Sequence, residues 1–251
     1  MSIISIKNLK KAYGNNRVLK GIDLEIEAGQ IIGYIGPNGA GKSTTVKILA
    51  GLDHHFEGEI LINGINVKED PIAVKRIIGY VPEVSELYEL LTPMEFLELI
   101  GNLHGLENSV IEERATRMLN HLGLEKHLND RMETFSKGMR QKVLLVSGLL
   151  HQPKIIFLDE PLTGLDANSV ILVKDIISQL AKEGATIFYS SHIMDVVEKI
   201  SDRIILLNAG TIFADGDFET LQSKYGNTLE NIFSKLTGGD LSGKNADSFL
   251  R

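Results

Sequence analysis

The chain of 251 residues contains no cysteine and no tryptophan. Without cysteine there is no disulfide scaffold, no thiolate nucleophile and no cysteine-ligated zinc site. Long apolar runs are missing too. The longest, residues 143–150, is broken by serine and glycine and falls far short of the ~20 residues that cross a bilayer. The opening stretch MSIISIKNLKKAYGNN has no apolar run behind a basic start, so a signal peptide is not expected. Positive charge is in deficit, with 26 Lys and Arg against 33 Asp and Glu, a formal net charge of −7. A chain built to grip phosphate backbones is usually basic, so no nucleic-acid partner is expected. What is present suits a core-forming domain: 43% apolar and 24% charged residues. The 24 glycines against 6 prolines form no low-complexity tract, so their placement carries information.

Residues 3–12, 18–26 and 30–35 read as strands, and Ile22, Leu24 and Ile26 alternate with Asp23 and Glu25 in the period-two pattern of a half-buried strand. A glycine-rich loop and a helix over 43–52 follow. A hairpin over 59–67 turns at Asn63-Gly64, and 77–81 is another strand. The texture then becomes helical. Thr92, Pro93 and Glu95 form a capping box that opens a helix to about 104. Ser109 and Glu112 predict a second capping box for a helix to about 122, and a third helix runs from Ser136 to just before Pro153. Strand–helix alternation resumes with strands at 154–158 and 185–190, helices at 167–183 and 193–200, and a hairpin over 203–214. Such alternation predicts a parallel sheet covered by helices. The helix expected over 217–225 and the segment 229–236 either brace the core or contact a second subunit.

Gly36, Pro37, Asn38, Gly39, Ala40, Gly41, Lys42 and Ser43 fit G-x-x-x-x-G-K-[ST] between a buried strand and a helix. The backbone there must turn tightly and aim several N–H groups into one hollow, with a helix N-terminus behind them. Lys42 adds a mobile cation for β and γ phosphates, and the Ser43 hydroxyl can ligate Mg²⁺. Further on, residues 155–158 are apolar and end in Asp159 and Glu160. Carboxylates at the C-terminal end of a buried parallel strand sit where such sheets bind ligands. Asp159 is placed to hold Mg²⁺ through water, and Glu160 to polarise a water toward the γ phosphate as general base.

Four more stretches narrow the kind of nucleotide protein. Phe135-Ser136-Lys137-Gly138-Met139-Arg140-Gln141 resembles the LSGGQ signature of the ATP-binding cassette (ABC) family. The segment from Glu160 to Asp166 resembles its D-loop, Ser190-Ser191-His192 its switch histidine, and Tyr13 the aromatic that stacks on adenine. The resemblance runs from residue 3 to about 216 and is to the ATP-binding subunits of ABC transporters. It implies an α/β fold: a P-loop, RecA-like core with an N-terminal antiparallel β subdomain and an inserted helical subdomain. The nucleotide-binding domain spans 1–236, the insertion 84–150, and 237–251 is a polar, flexible tail.

That resemblance implies ATP and Mg²⁺ as cofactors, with Thr44 joining residues 36–43 at the nucleotide and Ser43, Glu83 and Asp159 at the metal. His192 contacts the γ phosphate and the attacking water. Ser136 and Gly138 contact the ATP of a second subunit packed head to tail, and Asp166 lies at that seam. Partners are then a second nucleotide-binding subunit, as homo- or heterodimer, and a separate transmembrane permease. The chain is expected to be cytoplasmic, peripheral on the inner face of the membrane. Glu83 stands where the family usually has glutamine, and Phe135, Lys137 and Met139 depart from the signature; the glutamate and the lysine resemble export-type cassettes, the branch for drugs, antibiotics or polysaccharides. The apolar-rich segment 84–91 is either a groove for a short permease helix or packing for the helical subdomain, with Glu86 and Glu89 as its charges. A regulatory cassette that gates a membrane protein without moving solute, and a soluble non-transport cassette, remain alternatives. His54-His55 reads as loop rather than metal site.

Overall fold

A computed structural model of the chain describes residues 2–84, 87–226 and 228–237. Two long strands, β1 (Ser2–Tyr13) and β2 (Asn16–Glu27), pair antiparallel, and β3 (Ile31–Ile35) leads through the glycine-rich loop into α1 (Lys42–Leu49). Next come β4 (Glu57–Ile62), β5 (Ile65–Asn66), α2 (Pro71–Ile77) and β6 (Ile78–Val81). The helical insertion holds α3 (Pro93–Leu103), α4 (Asn108–His121) and α5 (Lys137–Leu149). The core resumes with β7 (Ile155–Asp159), α6 (Ala167–Lys182), β8 (Thr186–Ser191), α7 (Met194–Ile200), β9 (Arg203–Asn208) and β10 (Thr211–Gly216). Helices α8 (Phe218–Tyr225) and α9 (Leu229–Thr237) end the described chain. The tail beyond Thr237 and Glu86 of the apolar segment lie outside the described residues.

Two sheets divide the strands. One is antiparallel, in the order β2-β1-β4-β5; the other runs β10-β9-β3-β8-β7-β6 and is parallel except for β10 on β9. Every residue of β3, β7 and β8 is buried, as continuous apolar or small side chains with helices on one side and the antiparallel sheet on the other require. The six-stranded sheet accordingly separates two apolar clusters. Phe157 and Phe188 pack toward the antiparallel sheet and α1, and Leu158 and Tyr189 toward the helical layer. Because β8 lies between β3 and β7, the C-terminal ends of all three strands meet at one edge.

Two local readings change. The capping box at Ser109 and Glu112 does not form: α4 begins one residue before Ser109, with Glu107 as N-cap and no side-chain cap bond. The Glu107 carbonyl already accepts from the Val110 and Ile111 amides, which draws Ser109 into the first turn. Helix α2 is an element the sequence reading leaves out, although Asp70 caps it by accepting from Ala73 N and Pro71 stands at its start.

The insertion is tied to the core by a histidine pair. His104 at the end of α3 stacks on His151 behind α5, ring centroids 3.7 Å apart, and His151 Nε2 lies 2.9 Å from the carbonyl of Ile78 at the start of β6. Burial, then the neighbouring His104, push the His151 pKa down to about 4 from an ordinary 6.5. Between those values the unfolded chain binds the proton that the folded chain refuses, so stability falls as pH drops through this window. His151→Phe, which keeps a ring for the stack, is expected to lose part of that acid sensitivity. Urea midpoints at pH 7 and pH 5 measure it: a pH 7 to pH 5 difference equal to the parent's would refute the assignment.

Candidate functional site

The loop after β3 is shaped by two glycines that nothing else can replace. A Cβ on Gly36 would lie 2.3 Å from the Leu207 carbonyl of β9. Gly41 has φ +110° and its Cβ would lie 2.5 Å from Leu19 Cδ2 of β2. Gly41 is also the N-cap of α1, so the helix begins without a side-chain cap. Its first N–H groups are therefore available to an anion, with the positive end of the helix dipole behind them. Behind the loop, Thr45 Oγ1 donates to the Gly41 carbonyl at 2.9 Å and meets the buried Tyr34 hydroxyl at 3.2 Å, which fixes the turn to the sheet.

Lys42 is 7% exposed, and its Nζ donates to the carbonyls of Gly36 at 2.8 Å and Pro37 at 3.4 Å. Ser43 Oγ donates to Asp159 Oδ1 at 3.2 Å, and Ser190 Oγ donates to the same oxygen at 2.9 Å. Burial raises the Asp159 pKa, and the nearby Glu83 charge adds to it, against the Ser190 and Ser43 hydrogen bonds and the Lys42 charge. Such a carboxylate fits a cation beside it. Among the described residues no three His, Cys, Asp or Glu side chains gather as a metal cage. A site of Ser43, Asp159 and Glu83 oxygens fits Mg²⁺, which takes one or two carboxylates plus substrate phosphates rather than an all-protein cage.

Glu160, directly after β7, has φ +49°, a left-handed conformation unusual for a non-glycine residue, and is 5% exposed. Its amide donates to the Ser190 carbonyl at 3.0 Å. His192 Nδ1 lies 2.8 Å from Glu160 Oε2, and Ser191 Oγ donates to the same oxygen at 3.3 Å.

These groups surround a cavity of about 730 Å³, lined by residues 36–39 and 41–44 together with Glu83, Glu160 and His192. Ala40 is buried beneath the loop, and Asp159 lies under the floor through its bond to Ser43. Tyr13 is not on the wall. Its ring is half exposed at the end of β1, its hydroxyl donates to Asp53 Oδ2 at 2.9 Å, and Lys11 Nζ sits 4.6 Å from the ring centre. Burial and Asp53 push the Tyr13 pKa up, with Thr44 acting on the phenol in the opposite sense.

Four wall residues escaped the sequence reading: Asn16, Val18, Met194 and Phe233. The first two come from β2, which passes the loop at Gly41. Met194 follows the switch segment, and Phe233 arrives on α9, which packs on α7; no spacing in the sequence announces that approach.

Ser136, Gly138 and Asp166 are not on this wall. Ser136 caps α5, its Oγ accepting from Met139 N at 3.2 Å, which leaves its own proton to donate. A Cβ on Gly138 would lie 2.7 Å from the Gly164 carbonyl, so the start of α5 and the turn before α6 touch. Asp166 caps α6 and takes both the amide and the hydroxyl of Ser169, which hold its carboxyl below the usual range. His54 and His55 are exposed loop residues; the His55 carbonyl accepts from Lys11 Nζ at 2.6 Å.

A glycine-rich loop between a buried parallel strand and an uncapped helix, beside an acidic pair at the end of a second strand of the same sheet, defines the P-loop class of nucleotide-binding proteins. The comparisons specify it. A family profile described as "ABC transporter" matches residues 19–163. The linearmycin resistance ATP-binding protein LnrL of Bacillus subtilis is 36% identical over 89% of this chain and 72% of its own length. The ABC-type transporter ATP-binding protein EcsA of the same organism is 37% identical over 96% of this chain and 98% of its own. Among solved structures, an ATP-binding subunit of an ABC transporter superposes with TM-score 0.88 at 32% identity, covering 94% of this chain and all of that one. A dimeric, post-hydrolysis ATP-binding cassette bound to ADP and Pi superposes with TM-score 0.80 at 28% identity, covering 85% of this chain and 98% of that one. The chain belongs to the ABC transporter family, as one of its ATP-binding subunits. No helix among its described residues is long and apolar enough to cross a membrane.

Proposed function

We propose that the chain binds and hydrolyses ATP to drive a separate membrane-spanning subunit in the export direction, and that it works as a head-to-tail dimer. The observation that carries the ATPase reading is the convergence of Lys42, Ser43, Glu83, Glu160 and His192 on one cavity. In this reading the loop amides and Lys42 hold the β and γ phosphates. Ser43, Asp159 and Glu83 hold Mg²⁺, which supplies neutralising charge on the phosphates when bound. Glu160 takes the proton of the attacking water, and His192 orients that water and the γ phosphate. Tyr13 stacks on adenine from outside the phosphate cavity. The unit doing this work is 1–236, with the helical insertion over 84–150.

The dimer reading is supported by what the cavity wall leaves out. Ser136 and Gly138 present the positive end of a helix and a serine hydroxyl proton, groups that suit a phosphate, yet their own chain's cavity does not include them. A second subunit brings them, with Asp166 at the seam. The dimeric cassette among the similar structures supports this arrangement.

The permease reading is supported by exposed apolar side chains on the segment between the core and α3: Val84, Tyr88 and Leu90 are each about two-thirds exposed. Glu89 on that segment spends its carboxylate on Arg140 of α5, 3.1 Å away, so the segment is linked to the signature helix. Export is supported by relatives named for linearmycin resistance and for daunorubicin/doxorubicin resistance. The test is to purify the Glu160→Gln variant with Mg-ATP from the membranes of its own cells. Co-recovery of a protein with several apolar spans is expected; repeated recovery of a dimer alone would sink the transporter reading.

A further inference from the structure

Strand β8 sends alternate side chains to opposite faces of the sheet. Ser190 turns to Asp159, while Tyr189 lies in the cluster under the helices and Ser191 reaches Glu160. Both contacts to the Glu160 carboxylate, from Ser191 and from His192, fall on Oε2. Oε1 takes neither of these contacts. The two holders differ in kind. The His192 side chain is 60% exposed and is also asked to serve the γ phosphate, whereas Ser191 is buried.

A serine hydroxyl has one proton and two lone pairs. In Ser191 the proton goes to Glu160, and one lone pair accepts from Ile193 N at 3.0 Å. The second lone pair remains. Tyr189 is fully buried, and its hydroxyl has no hydrogen-bond partner among the described residues. Burial raises its pKa, and the two polar groups that act on it are Ser191 and Glu160. An unpaired buried hydroxyl costs free energy, and phenylalanine would fill the same space without that cost, which points beyond packing.

We infer that Tyr189 and Ser191 are positioning residues for Glu160. The Tyr189 hydroxyl closes onto the free lone pair of Ser191, and Ser191 anchors Oε2 so that Oε1 faces the attacking water. A hydroxyl that accepts a hydrogen bond donates a stronger one, so the two act as a chain. The inference rests on Glu160 being the general base.

The test is steady-state ATP hydrolysis by the full chain. Tyr189→Phe should lower kcat by about three- to tenfold, the worth of one neutral hydrogen bond, with KM for ATP unchanged. Ser191→Ala should lower kcat further at the same KM, and Ser191→Thr, which keeps the hydroxyl, should restore it. A general packing defect would not be rescued by threonine and would lower the melting temperature of Tyr189→Phe, which is expected to melt at or above the parent. Undiminished kcat in Tyr189→Phe, a loss expressed in KM, or Ser191→Thr as slow as Ser191→Ala overturns the inference. Glu160→Gln run in parallel separates the two ideas. If it still turns over, the base assignment itself fails and the anchor has nothing to hold; if it is inactive while Tyr189→Phe is fully active, only the anchor fails.

Discussion

Glu160→Gln is expected to lower ATP turnover by about a thousandfold while ATP affinity stays within a few-fold of the parent. Glutamine keeps the length and one oxygen, so it still meets Ser191 Oγ or His192 without opening the wall. It cannot accept a proton from water at neutral pH, which is the whole of the predicted loss. The strained backbone at φ +49° belongs to the turn after β7 and does not depend on the carboxylate, so the fold should hold. Blocked hydrolysis should also lengthen the life of the ATP-bound dimer. Size-exclusion chromatography with Mg-ATP should show a dimer peak for the variant that the parent loses as it consumes nucleotide. Turnover within tenfold of the parent would remove Glu160 from the base role, and attention would shift to His192.

Lys42→Ala is expected to weaken ATP binding by about a hundredfold, the scale for removing a buried charged partner. Lys42 is the one Lys or Arg among the described residues that line the cavity, which it shares with Glu83 and Glu160, and Asp159 lies behind Ser43. Without it, the triphosphate meets a wall whose remaining side-chain charges are carboxylates. In the structure the ammonium is spent on the Gly36 and Pro37 carbonyls, contacts that hold the loop closed around the place a phosphate takes. The charge is thus pre-positioned, and the same contacts predict some loosening of the loop in the variant. Displacement of a fluorescent ATP analogue measures the effect. Lys42→Arg serves as the charge-retaining control and should lose less. A Kd within fivefold of the parent for Lys42→Ala would show that the loop amides and helix dipole carry the phosphates alone.

Much of the core was legible because its motifs are local backbone demands. Gly36, Gly41 and Lys42 lie within seven residues, and the backbone of Leu207 against Gly36 and the φ of +110° at Gly41 show why glycine is required at the first two. The capping box at Thr92 and Glu95 was readable for the same reason, as both its bonds form within four residues. Where a local signal competes with a stronger one it goes unused: the Glu107 carbonyl starts α4 early and leaves the Ser109 box unformed. At α2, the Asp70-Pro71 start signal was present but sat between two strand patterns.

The sequence by itself determined the chemical inventory of this protein: a glycine-rich loop with its lysine, two carboxylates after an apolar strand, and a histidine after a second strand, in the order the ABC family uses. It could not say which strands are neighbours, since hydrogen-bonded pairing between distant segments leaves no local trace. Only the tertiary structure inserted β8 between β3 and β7, which sets Ser190 against Asp159 and Ser191 against Glu160. Only it carried Phe233 to the cavity wall and buried the Tyr189 hydroxyl without a hydrogen-bond partner among the described residues. The physical reason is the same each time: spacing along the chain specifies which groups a turn or helix end can offer, whereas the packing of distant elements decides which of those groups meet.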